Sequence, residues 1–349
     1  KIINNTSIGS VDNNTFGPFV GIAVNGSGIE NVSYNEISGN SVTGPTGDLI
    51  AISGGNIFNN NLIFSNGAPY GVTGIASATN TIHLFKNKIY DLYGGLVQGI
   101  SISSDTAYIS NNYIGKLNAI NGSITGMNLA VSVLNLFYNT IYLSNGSIAQ
   151  PGFESFDIYI NYGNFFKPTS AILQNNIIAN TSVDNGNTVA FAMGDSEYPV
   201  DPSYFSSSNN NLYYAGIPSS SNLIFLNYYD NGFYHGTTSN ETLGQFKARV
   251  APRENVSISA MPDFLDTTGL SPQYLHINPA TPTDIESGGF DVSEYKTDYD
   301  GDIRQDSSGY SGTGTHPDIG ADEFEGTRIS APLPLTLISF KASHSGLHN

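Results

Sequence analysis

Cysteine and tryptophan are both absent from the 349 residues. The first absence removes disulfides, thiolate metal sites and thiol nucleophiles together. No apolar run approaches the ~18–20 residues that span a bilayer, so membrane insertion is not expected. Positive charge is scarce: 12 Lys and Arg stand against 29 Asp and Glu, a net of −17. Phosphate contacts need Lys and Arg, so nucleic acid is not expected as a partner. Nothing at the start reads as a signal peptide. The chain opens inside a β-like run, "KIINNTSIGS", so Lys1 reads as the start of a processed or partial chain.

What is present is asparagine, and it is unevenly placed. Of the Asn residues, 37 precede residue 251 and 3 follow it, whereas 15 of the acidic residues lie in 251–349. Something changes near residue 250.

Before that point the chain repeats. Taking the Asn of "Asn-x-apolar" as a marker gives Asn35, Asn61, Asn87, Asn112, Asn139 and Asn175, with a looser first copy at Asn5 and a further one at Asn210. The spacings from Asn5 are 30, 26, 26, 25, 27, 36 and 35. Apolar residues keep step three places before each marker (Val32, Phe58, Leu84, Ile109, Leu136, Ile172) and two places after it (Ile37, Ile63, Ile89, Ile114, Ile141, Ile177). A second strand recurs as "GIAV", "LIAI", "GIAS", "GISI", "GMNL" and "DIYI", starting at Gly21, Leu49, Gly74, Gly99, Gly126 and Asp157. Alternating β-branched and aromatic residues argue for strands, and the Gly and Asn between them argue for turns.

Two to three short strands per ~25 residues, with almost no helical stretch, fit neither a leucine-rich repeat nor a propeller blade. They fit an all-β, parallel β-helix of about 7–9 coils. The marker Asn residues are then expected to bend the chain in the left-handed backbone region. Their amides would form a ladder from coil to coil inside the fold, where an unpaired polar group costs ~1–3 kcal/mol. The competing reading puts them in solvent-exposed turns.

Three regions are expected: regular coils over 1–195, irregular last coils and a C-terminal cap over 196–327, and a linker over 328–349. Longer spacings after Asn139 imply loops inserted near 145–165 and 180–208. One short helix is expected at 242–250, with Leu243, Phe246 and Val250 on one face and Pro252 ending it.

The segments "SSSNNNLYY", "TLGQFKARV", "MPDF", "YLHINPATP" and "TDYDGDIR…HPDIGADEFEG" follow one another over residues 206–326. This order resembles the closing segment of secreted right-handed parallel β-helix proteins of Bacteroidota-type bacteria. "PLPLTLISFKA" is similar to the stretch before the C-terminal sorting domain of type IX secretion cargo. The resemblance implies right-handed coils, export by the type IX machinery and a place outside the cell or on the outer surface of a Gram-negative bacterium. It implies little about activity.

Catalytic patterns are sparse. A glycosidase needs two carboxylates at a fixed separation, which on a coil stack should recur at one phase. Glu36 is followed at its phase by Leu62, Lys88, Tyr113, Thr140 and Asn176, and the other acids are scattered. The first Arg is Arg249, past the regular coils, and Lys86 and Lys88 read as surface charges. The six His residues have no metal-ligand spacing. Asp298, Asp300 and Asp302 resemble the front of a calcium loop, which makes Ca²⁺ the one candidate cofactor. The alternative is a turn in which Asp298 or Asp302 pairs with Arg304. "DTA" and "DTT" match a bacterial Asp-Ser/Thr-apolar pattern for O-glycosylation at Thr106 and Thr267.

The expected function is a non-catalytic surface module: an adhesin, stalk or filament component. Its partners would be surface polysaccharide or copies of itself end to end. The alternative is a polysaccharide-degrading enzyme, hydrolase or lyase, whose site uses Tyr159, Tyr162, Asp195, Glu197 and Asp201 in the long loops.

Overall fold

The computed structural model describes residues 2–3, 6–7, 19–24, 28–43, 47–144, 152–161, 169–182, 186–196, 207–230 and 235–329. They form a parallel β-helix with three walls per coil. On the first wall the register runs Asn31, Ile57, His83, Tyr108, Asn135, Ile172. On the second it runs Ile2, Ile37, Ile63, Ile89, Ile114, Ile141, Ile178, Tyr213. On the third it runs Ile22, Ile52, Ile75, Ile100, Met127, Ile158, Phe191, Phe225. Seven steps of ~4.8 Å make the second wall ~34 Å long.

Alternation explains the core. Val32, Phe58, Leu84, Ile109, Leu136 and Leu173 point inward from the first wall and are almost fully buried. They face the Ile column of the second wall across a single hydrophobic cluster. On the third wall the strand pairing skips Gly74, Gly99 and Gly126. A Cβ on any of these would lie 2.8 Å from Cγ2 of Ile89, Ile114 or Ile141. Glycine is used here for close approach of two walls.

The amides form the internal ladder, but with a different backbone role from the one expected. The left-handed residue is the one before each ladder Asn: Tyr34, Asn60, Lys86, Asn111, Tyr138, Asn175 and Asn210 all have φ between 54° and 60°. That turn swings the next side chain into the coil. The ladder therefore runs Asn35, Asn61, Asn87, Asn112, Asn139, Asn176, Asn211. Asn175 is not a rung; Asn176 is, and Asn211 replaces Asn210. From Asn61 to Asn211, each rung's Oδ1 accepts both the N–H and the Nδ2–H of the rung before it, as Asn112 does from Asn87 at 2.9 and 3.0 Å. Its Nδ2 also donates to a neighbouring strand carbonyl, as Asn112 does to Leu84.

All the ladder amides donate in one direction, and the row ends on a carboxylate. Asn211 Nδ2 lies 3.1 Å from Glu254 Oε2. Ser257 Oγ and Tyr213 Oη also donate to Glu254. Glu254 is completely buried. Burial pushes its carboxyl up to about 7, against these hydrogen bonds, which favour the charged form.

The expected helix occupies Leu243–Val250 and closes the C-terminal end. Thr242 and Gln245 form a capping box, and Leu243, Phe246 and Val250 are buried. Phe246 stacks on Phe225 at 4.9 Å and meets Phe191 and Tyr213 edge-on. The strand His235–Asn240 pairs antiparallel with Asn222–Asp230 and covers that edge.

The remaining closing segment is not an end cap. Residues 262–329 double back along the outside of the second wall. Tyr274, Leu275, Ile277, Ile285, Ile319 and Ala321 pack there against Tyr90, Tyr113, Tyr142, Ile177, Ala179 and Leu212. Parts of both insertions expected from the long spacings (145–151, 162–165, 183–185 and 197–206) and Asn5 lie outside the described residues, as does the linker beyond 329.

Candidate functional site

The corner of left-handed residues carries a second, outward-facing column, and that column holds the closing segment. Asn111 Nδ2 donates to Thr297 O, and Asn210 Nδ2 donates to Gly288 O. Asn175 donates to Phe290 O and accepts from Phe290 N, and Tyr138 Oη donates to the same carbonyl. The ladder Asn ties coil to coil, and the residue before it ties the coils to their outer layer.

Lys86 and Lys88 are not the surface charges their sequence suggests, because the closing segment covers them. Lys88 is 7% exposed; its Nζ lies over the Tyr274 ring at 5.1 Å and 3.4 Å from Pro272 O. Lys86 Nζ reaches Thr297 Oγ1 at 3.3 Å. Burial lowers the pKa of both.

Arg304 is the anchor of this layer. It is 1% exposed, lies 3.9 Å over the Tyr138 ring, and donates to Glu323, Asn111 Oδ1 and Gly320 O. Its carboxylate partner is Glu323, not Asp298 or Asp302.

The calcium expectation meets a different arrangement. Asp298 is buried, and its oxygens accept the backbone N–H groups of Gly301, Asp302 and Glu323. Asp300 Oδ2 is 2.6 Å from His276 Nε2. Asp302 contributes its carbonyl to Asp298 N–H. Three acids do three separate jobs, and among the described residues no group of three or more His, Asp or Glu is placed to hold a metal ion.

A cavity of about 920 Å³ on this layer is lined by His276, Asp322, Glu323, Tyr310 and Glu325 among others. It contains the acid–base groups that a reaction would need, yet they serve the fold. Asp322 accepts Ile277 N–H, Glu323 accepts Gln305 and Asp318 N–H, and Glu325 accepts Thr313 N–H. A segment with little regular structure has orphan backbone donors, and carboxylates satisfy them. Seven of the 15 acidic residues in 251–349 accept backbone N–H groups in this way. Burial pushes Asp322 up to about 6, with His276 pulling it down. Burial alone would lower His276, but Asp300 and Asp322 hold it above the usual imidazole range.

Two further places matter. An axial groove of about 590 Å³, lined by Ser77, Ser101, Ser103, Asn128 and Asn161 among others, has Glu30 as its single carboxylate. At the corner between the second and third walls, Tyr70 and Tyr93 are 63% and 55% exposed, and Leu96 is 43% exposed. Tyr93 pairs with Gly67 and Leu96 with Gly71, and the Tyr93 ring stands beside Gly67.

Asp157 was legible only as a scattered acid. It stands on the third wall one coil beyond Gly126 and opposite it, fully buried, with neither oxygen hydrogen-bonded. Burial pushes it well above the usual carboxylate range. Thr106 and Thr267 are both half-buried: Thr106 on the first wall beside Thr81, Thr267 in the turn built by Asp266. Of the residues proposed for an enzyme site, Tyr159 packs on Phe156. Tyr162, Glu197, Asp201 and the Asp195 side chain lie outside the described residues.

No family model, curated protein or solved structure matches this chain.

Proposed function

We propose that the protein is a non-catalytic β-helix module of an extracellular or outer-surface protein of a Gram-negative bacterium, an adhesin, stalk or filament component that binds glycans. The observation that carries this reading is the exposed Tyr70–Tyr93–Leu96 corner. Tyrosine offers sugars an apolar ring and a hydroxyl at once. The occupation of the closing segment's carboxylates by backbone donors supports the same reading. Export as type IX secretion cargo rests on the sequence resemblance of residues 206–349.

A glycan-array screen paired with a reducing-sugar assay on each glycan that binds tests it. Retention without new reducing ends, lost in Tyr70→Ala/Tyr93→Ala, is the expected result. Release of reducing sugar would replace the module by a polysaccharide-degrading enzyme. No retention on any glycan would remove the glycan.

A further inference from the structure

The corner column stops holding the closing segment at Asn60, and a cavity of about 390 Å³ opens there. The coils contribute Asn60, Phe85 and Lys86; the closing segment contributes Glu294, Tyr295 and Lys296. In a chain with 12 basic residues, two lysines line this one small space.

Lys86 is the telling member. It is half-buried, and its hydrogen bond is to a neutral hydroxyl, Thr297 Oγ1. Two other cations have a carboxylate within reach, Lys116 with Asp91 at 2.9 Å and Arg304 with Glu323 at 3.1 Å, whereas Lys88 and Lys247, like Lys86, bond to neutral oxygens. Among the described residues Lys86 has no such pair. Asp298, Asp300 and Asp302 act on it only through the field. A partly desolvated ammonium without a counter-ion is costly, and an incoming carboxylate would relieve the cost. Lys296 is exposed on the opposite lip. Phe85 and Tyr295 give the cavity aromatic surface, while Asn60 and Glu294 can meet hydroxyl groups. The volume lies at the small end of the range for ligand pockets, that of one sugar residue.

We propose that this cavity binds a hexuronate residue of an acidic glycan. The carboxylate sits between Lys86 and Lys296, and the ring lies against Phe85 and Tyr295. This rests on the glycan-binding reading and adds the charge class of the glycan and a second place of contact.

The probes are oligogalacturonate, a neutral galactose oligomer of equal length, and oligoglutamate of equal charge. Calorimetric titration into the whole chain at ~0.15 M salt limits the repulsion from the net charge of −17 to distances below ~8 Å. The acidic glycan should bind about tenfold more tightly than the neutral one, and Lys86→Gln and Lys296→Gln should each remove most of that difference. Lys296 is exposed, so its variant keeps the test alive if Lys86→Gln loosens the closing segment. Equal binding of the acidic and neutral oligomers, or unchanged binding in both variants, overturns the proposal. Equal binding of oligoglutamate overturns the sugar assignment. Array retention that depends on Tyr70 and Tyr93 but ignores both lysines would leave the module reading intact and remove this site alone.

Discussion

A single ladder amide has no spare partner. Asn112 accepts from two groups of Asn87 and donates to Asn139, Leu84 and Ser110. Asn112→Ala leaves buried donors on Asn87 unsatisfied, so chemical unfolding should show a loss of about 1–3 kcal/mol. A loss under a few tenths would mean that water replaces the amide. Glu254 gives the residue-scale pH dependence. Its carboxyl is held near 7, above the ordinary 4.5, so the folded state binds the proton more tightly than the unfolded chain. The resulting stability is complete below the ordinary value and disappears as pH rises through about 7. The span is on the order of 3 kcal/mol. Glu254→Gln should flatten that part of the curve in melts from pH 4.5 to 8.5; a wild-type slope in the variant would mean that other acids carry it.

At the scale of elements, the closing segment depends on one cation. Arg304→Ala leaves Glu323 buried without its partner and should cost about 3–5 kcal/mol. Because 262–329 contact the coils from outside, the loss should appear as faster hydrogen exchange in that segment while the ladder amides stay protected. Uniform acceleration throughout would show that layer and coils unfold as one unit.

Sequence and structure agree where side chains repeat and part where backbone decides. The apolar columns at Val32 to Leu136 and Ile37 to Ile141 were visible because one residue type recurs at one phase. The slip to Asn175 arose in "QNNII", where two Asn and two Ile allow either register. The left-handed φ of Asn175 and the ladder bonds of Asn176 distinguish the bend from the rung. The lysines misled for a different reason. Their burial is imposed by residues about 185 to 210 positions later in the chain, which no local pattern carries. Asp298 and its neighbours had the spacing of a metal loop, but the backbone N–H groups they accept, including that of Glu323, are set by the packed segment.

For the molecule as a whole, stability is a sum over neighbouring coils, since strands pair mainly with the coil before and the coil after. That makes the 26-residue step from Asn61 to Asn87 an interchangeable part. Removing residues 62–87 would join Asn61 to Lys88 and bring the chain back into phase: bend, amide and Ile column would continue with one rung fewer. Such a chain should still fold, with a shorter rod in small-angle scattering, although it gives up Lys86 and its cavity. Removing 25 or 27 residues at the same place should do far worse, because every later side chain would exchange inside for outside. If all three deletions fail alike, the coils are not separable units. The tolerance that the left-handed corner sets is therefore arithmetic. Length can change by whole turns at little penalty, and by one residue only at a loop.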